Sequence, residues 1–249
     1  MQRVPIIAGN WKMYKTSAEA RAYIETLNSL IASTDRLIYL AVPFTALEAA
    51  SDASQGSKIT IGAQNMHDQA EGAFTGEISA AMLKSSGAGF VLLGHSERRN
   101  IFLETDVFIH RKLQRALSEG IQPILCIGEM LEQRERGDHE SVLEMQLTEG
   151  LGEITGEQMK QVIIAYEPVW AIGTGKTATA EIAQATHHFI RRFLEKRFGK
   201  EISERIPLLY GGSVKPDNIA ALMQQSDIDG VLVGGASLDP KSFVQIIHY

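Results

Sequence analysis

Polar and ionisable residues gather immediately behind short apolar runs: Asn10 and Lys12, Asn65, His95 with Ser96 and Glu97, Glu129, Glu167, Ser213, and the Gly234-Gly235 pair. A carboxylate, an imidazole, an ammonium and a carboxamide are groups that move protons and meet developing negative charge. Glu167 ends the run Val-Ile-Ile-Ala-Tyr and is followed by Pro168, whose ring stiffens the chain and removes a backbone donor. A partly desolvated carboxylate there suits abstraction of a proton from carbon. His95 lies between Phe-Val-Leu-Leu-Gly and Ser-Glu-Arg-Arg, where a strand should turn into a helix. The partial positive charge of a helix N-terminus disfavours imidazolium and leaves a neutral ring able to polarise a carbonyl. Taken singly, each residue has a plainer reading: Lys12 a solvated lysine, Asn10 a turn residue, His95 a helix cap, Glu167 a rim ion pair.

Behind Glu167 runs Val169-Trp170-Ala171-Ile172-Gly173-Thr174-Gly175-Lys176-Thr177, an apolar tip between a Pro-containing entry and a small-residue exit. Such a segment has the make-up of a lid that covers a ligand. Gly175-Lys176-Thr177 invites a nucleotide-loop reading, but that pattern requires Gly at the position of Trp170. Gly211-Gly212-Ser213 and Gly234-Gly235 follow the last two apolar runs, where backbone N–H groups can approach a phosphate closely. Cys126, inside an apolar run with no partnered base, reads as core. The remaining histidines show no metal-ligand spacing, so neither a metal nor a cofactor is expected.

The elements that must position these groups are legible as well. Apolar runs at Ile6 to Gly9, Leu37 to Val42, Ile59 to Ala63, Phe90 to Gly94, Pro123 to Gly128, Val162 to Tyr166, Pro207 to Gly211 and Val231 to Gly234 predict strands apolar on both faces. Dividing 249 residues among eight strands leaves about 31 per unit, the size of one strand and one crossover helix. Between them, Ala20, Ile24, Leu27 and Ile31 share a helical face behind a Thr16–Glu19 capping box, and the stretches Thr105 to Leu117, Ala180 to Phe198 and Pro216 to Met223 read as helices. The expectation is one domain over 1–249, an eight-stranded parallel (β/α)8 barrel whose strand ends converge on one mouth. An open doubly wound sheet shares the same alternation.

Composition narrows the partners. Lys and Arg total 24 against 30 Asp and Glu, a net charge of −6 with both signs scattered, which favours neither nucleic acid nor a membrane surface. One cysteine excludes an internal disulfide and suits a reducing compartment, so a cytoplasmic location is expected.

Five stretches carry a resemblance: Gly9-Asn10-Trp11-Lys12-Met13, Gly72-Ala73-Phe74-Thr75-Gly76-Glu77, Leu93-Gly94-His95-Ser96-Glu97-Arg98-Arg99, Ala165 to Gly175, and Tyr210-Gly211-Gly212-Ser213. In order and content they resemble the triosephosphate isomerase family over nearly the whole chain. The resemblance implies a cofactor-free interconversion of dihydroxyacetone phosphate and D-glyceraldehyde 3-phosphate through an enediolate. It implies Glu167 as base, neutral His95 as electrophile, and Lys12 and Asn10 as charge and hydrogen-bond donors to substrate. It also implies phosphate held by Gly173, Ser213, Gly234 and Gly235, with Glu97 pairing with Lys12. Finally, it implies a homodimer in which the loop Gln64–Glu77 inserts beside the partner's active site.

Departures from the family's commonest pattern are Tyr14 for Asn, Ala80 and Ala180 for Pro, and Leu103 for Gly. The rival readings are another phosphosugar isomerase or an aldolase on the same barrel, and a non-catalytic phospho-ligand binder. An aldolase requires a Schiff-base lysine on a strand, and a binder has no need of Glu167, His95 and Lys12 together.

Overall fold

The computed structural model describes residues 3–31, 34–172 and 178–249. Its strands are β1 (Ile6–Asn10), β2 (Leu37–Val42), β3 (Ile59–Ala63), β4 (Phe90–Leu93), β5 (Gln122–Ile127), β6 (Ile163–Tyr166), β7 (Leu208–Tyr210) and β8 (Gly230–Val233). Each pairs in parallel with its sequence neighbours, and β8 closes on β1. Every expected run is thus a strand, displaced by at most about a residue at either end, and the closed order excludes the open doubly wound sheet.

Two sets of buried side chains explain why the runs are apolar on both faces. One set, including Ile6, Ala8, Phe90, Leu92, Ile124, Cys126, Ile163, Ala165, Leu209 and Leu232, fills the barrel interior. The other, including Ile7, Ile38, Leu40, Val91, Leu125 and Ile164, packs outward beneath the helices. Strand side chains alternate with a period of two, so the next inward steps after Ile6-Ala8 and Ile163-Ala165 are Asn10 and Glu167. The residues that fill the barrel therefore aim the first two polar groups above it. Burial pushes the Cys126 thiol well above its ordinary range, with the Glu167 carboxylate adding to the effect, as suits a core residue.

The helices are α1 (Ser17–Leu30), α2 (Leu47–Ala53), α3 (Ala80–Ser85), α4 (Ser96–Asn100), α5 (Asp106–Ser118), α6 (Leu131–Glu135), α7 (His139–Leu151), α8 (Gly156–Met159), α9 (Ala180–Phe198), α10 (Lys200–Ser203), α11 (Ile219–Met223) and α12 (Pro240–Ile247). The Thr16–Glu19 capping box opens α1. The helix expected from Pro216 starts instead at Ile219, because Asn218 takes the cap position and Pro216 stays in the preceding turn. Ala80 and Ala180 are the first residues of α3 and α9, the one helical position where Pro and Ala both fit, since the N–H there has no intrahelical acceptor. No helix among the described residues is long and apolar enough to cross a membrane.

Candidate active site

Asn10 accepts the backbone N–H of Lys12 on Oδ1 at 2.9 Å, and Gln64 Nε2 donates to the Lys12 carbonyl at 2.8 Å. These bonds hold Lys12 in the left-handed region at φ 52°, which costs about 1 kcal/mol for a side-chain-bearing residue. The strained turn throws the side chain across the mouth, where Nζ donates to Glu97 Oε1 at 2.7 Å. Asn10 itself is buried. The expected Lys12–Glu97 pair is therefore present.

His95 caps α4. The Glu97 backbone N–H donates to His95 Nδ1 at 3.2 Å. A ring nitrogen that accepts carries no proton, so the neutral ring is protonated on Nε2. The Glu97 carboxylate lies 3.7 Å from the same Nδ1, beyond hydrogen-bond range, and the amide is the partner that sets the tautomer. Nε2 faces Glu167 Oε1 at 3.1 Å, while the Ser96 N–H donates to Glu167 Oε2 at 2.9 Å.

Glu167 is 2% exposed and His95 6%, so the two groups meet largely out of water. Room for the carboxylate comes from glycine. A Cβ on Gly211 would stand 2.8 Å from Glu167 Cγ, and one on Gly128 would stand 1.8 Å from the Glu167 carbonyl oxygen. Behind it, the Glu129 Oε1 atom accepts from Arg134, Tyr166 and Trp170 at 3.0, 3.0 and 2.8 Å, and its carbonyl accepts the Val169 N–H at 3.1 Å. Glu129 thus anchors the segment that follows Pro168.

Asn10, Lys12, His95, Glu167, Ser213, Gly234 and Gly235 all line one cavity of about 650 Å³. A Cβ on Gly235 would meet nothing within 4 Å, so the backbone there opens directly on the cavity. Asn218 ties down the opposite turn: its Oδ1 accepts the Lys215 N–H at 2.8 Å and its Nδ2 donates to the Ser213 carbonyl at 2.9 Å. Gly173 lies outside the described residues.

Two of the polar residues behind strands do not join the cavity. Asn65 turns away to accept from Lys112 Nζ at 3.0 Å, in a buried group with Glu104, and Glu129 is fully buried. Conversely, Gln64 and Asn218 position the site and escaped notice in the sequence, because each acts only through backbone groups of its neighbours. Among the described residues, no group of three or more His, Cys, Asp or Glu is arranged to hold a metal.

A family model for triosephosphate isomerase matches residues 5–249. The chain is 52% identical to a triosephosphate isomerase of Solibacter usitatus (strain Ellin6076) over 248 residues, covering 99% of this chain and 100% of that protein. It is also 52% identical to one of Carboxydothermus hydrogenoformans, with 98% of each covered, and 47% identical to one of Protochlamydia amoebophila, with 99% and 93% covered.

Proposed function

From the premise that this chain belongs to the triosephosphate isomerase family, we propose that it interconverts dihydroxyacetone phosphate and D-glyceraldehyde 3-phosphate with Glu167 as base and neutral His95 as electrophile. The observation that carries the residue roles is the buried His95–Glu167 contact of 3.1 Å, at the floor of a cavity walled by glycine turns. Glu167 removes a proton from the carbon beside the carbonyl and returns one to its neighbour. The Nε2–H of His95 polarises the carbonyl and moves protons between the two oxygens of the enediolate, and Lys12 and Asn10 offset the charge that develops. Ser213, Gly234 and Gly235, with Gly173 from the lid, hold the phosphate.

None of the eight strands carries a lysine, which argues against a Schiff-base aldolase on this barrel. A coupled assay started with glyceraldehyde 3-phosphate, in chelator and without added cofactor, tests the reading. Steady formation of dihydroxyacetone phosphate supports it, and activity appearing only with added metal overturns it.

The homodimer belongs to the same proposal. Residues 69–77 are all exposed in the single chain, and the loop is nevertheless ordered by bonds such as Glu77 N–H to the Phe74 carbonyl at 2.9 Å. Met13, Tyr14, Phe74, Ile101, Phe102 and Leu103 leave apolar surface in water. Leu103 does so at φ 57°, a strained placement for a leucine whose side chain gains nothing from the subunit alone. A second copy that receives the loop Gln64–Glu77 would cover this surface.

A further inference from the structure

Four ionised side chains line the cavity among the described residues: Lys12, Glu97, Glu167 and Lys215. Lys12 and Glu97 neutralise one another at 2.7 Å. That leaves the Glu167 carboxylate on the floor and the Lys215 ammonium at the mouth. Lys215 is exposed, and among the described residues its Nζ has neither a hydrogen bond nor an ion pair. Its neighbour Asp217 is exposed and does not line the cavity.

The substrate class carries a phosphate of nearly two negative charges at neutral pH, and the chain itself carries −6. Approach is therefore opposed by the protein as a whole and by Glu167 at the floor. Without Lys215, the described lining would carry one net negative charge, and the mouth would repel the ligand it must admit. The backbone of Lys215 is fixed by Asn218, which also fixes Ser213 two residues earlier.

We propose that Lys215 is the cation that draws the substrate phosphate into the mouth and steers it to the Ser213 and Gly234-Gly235 turns. This rests on the reading that those turns form the phosphate end. Lys215 acts on encounter and on phosphate affinity, and leaves the proton transfers to Glu167 and His95. An exposed charge of this kind is effective within about 10 Å at 0.1 M salt and loses reach as salt rises.

The test compares Lys215→Gln with Lys196→Gln. Lys196 is an exposed lysine in the last turn of α9, at the barrel end opposite the mouth, so both variants change net charge equally. At about 10 mM ionic strength, Lys215→Gln should lower kcat/KM for glyceraldehyde 3-phosphate about fivefold and raise the inhibition constant of inorganic phosphate similarly, with kcat unchanged. At about 300 mM the difference should shrink below about twofold, and Lys196→Gln should match the unaltered protein throughout. Equal responses from both variants, or a Lys215→Gln loss in kcat that persists at high salt, would overturn the proposal. If phosphate competes equally with substrate in the unaltered protein and in Lys215→Gln, the phosphate end stands and the steering role falls. If phosphate fails to compete in the unaltered protein, both fall.

Discussion

His95 Nε2 and Glu167 Oε1 stand 3.1 Å apart, and the Glu97 N–H on Nδ1 leaves Nε2 as the nitrogen that carries the proton of a neutral ring. Each group is therefore occupied by the other. A substrate that uses both must come between them, exchanging the His95–Glu167 contact for a carbonyl on the imidazole and a carbon acid on the carboxylate. The Ser96 N–H, which holds the second oxygen at 2.9 Å, must be released if Glu167 advances.

Reach is then decisive. Glu167→Asp withdraws the carboxylate by one methylene, and a misplacement of about 1 Å costs on the order of a hundredfold. Steady-state kinetics should show kcat falling by roughly that factor with KM changed much less. An unaltered kcat would mean that another group is the base.

The same argument applies to the glycine behind the carboxylate. Gly211→Ala places a Cβ 2.8 Å from Glu167 Cγ in the present arrangement, closer than carbon atoms tolerate, so the side chain must move. Turnover should fall about tenfold to a hundredfold, while the thermal midpoint shifts by only a few degrees. A variant with full activity would show that Glu167 has slack the geometry does not suggest.

Asn10 and Glu167 were legible because they continue the period-two alternation of β1 and β6, and the strands were legible because burial on both faces leaves uninterrupted apolar runs ending in glycine or a polar residue. His95 was placed by the strand-to-helix change around it. Asn65 and Glu129 also follow strands, but they continue the outward sets Ile59-Ile61-Ala63 and Leu125-Ile127, so the same alternation sends them away from the mouth, to Lys112 and to Tyr166 and Trp170. Those partners are distant in sequence, and no local pattern encodes the pairing. The late start of α11 has a similar cause: the Asn218 side chain is spent on the turn of Ser213 and Lys215 and makes no cap bond to the helix that begins after it, an arrangement visible only once the turn is in place.

His187 provides a pH-dependent prediction outside the site. It is fully buried, its Nδ1 hydrogen-bonds the Asp227 carbonyl at 3.1 Å, and its Nε2 has no partner. Burial pushes its pKa down to about 4. The unfolded chain binds this proton near the ordinary value of about 6.5, so between the two values it holds more protons than the folded chain, and stability falls as pH drops through that window. The loss attributable to this group is on the order of 3 kcal/mol by pH 4. Urea unfolding of His187→Asn between pH 7 and 4 should give a flatter dependence than the unaltered protein, from a lower starting stability. Parallel curves would remove His187 as the cause.

Assembly can be tested at the loop whose residues 69–77 stand exposed. Phe74 stacks on His67 with ring centroids 4.3 Å apart, yet remains 44% exposed, so its own subunit covers only part of it. The Gln64 side chain, at the root of this loop, holds the Lys12 carbonyl, and Lys12 precedes the exposed Met13 and Tyr14. Contact made by a partner at Met13 and Tyr14 would therefore bear on the strained turn that aims the Lys12 ammonium. Shortening Gln69 to Gly76 while leaving Gln64 in place removes the protruding part alone. Sedimentation should then report a monomer, with Glu167, His95 and Lys12 all present but poorly held. Preorganised positioning contributes several kcal/mol, so activity should drop on the order of a thousandfold. A monomer that keeps near-full activity would show that the loop merely connects β3 to α3 and that each subunit orders its own site.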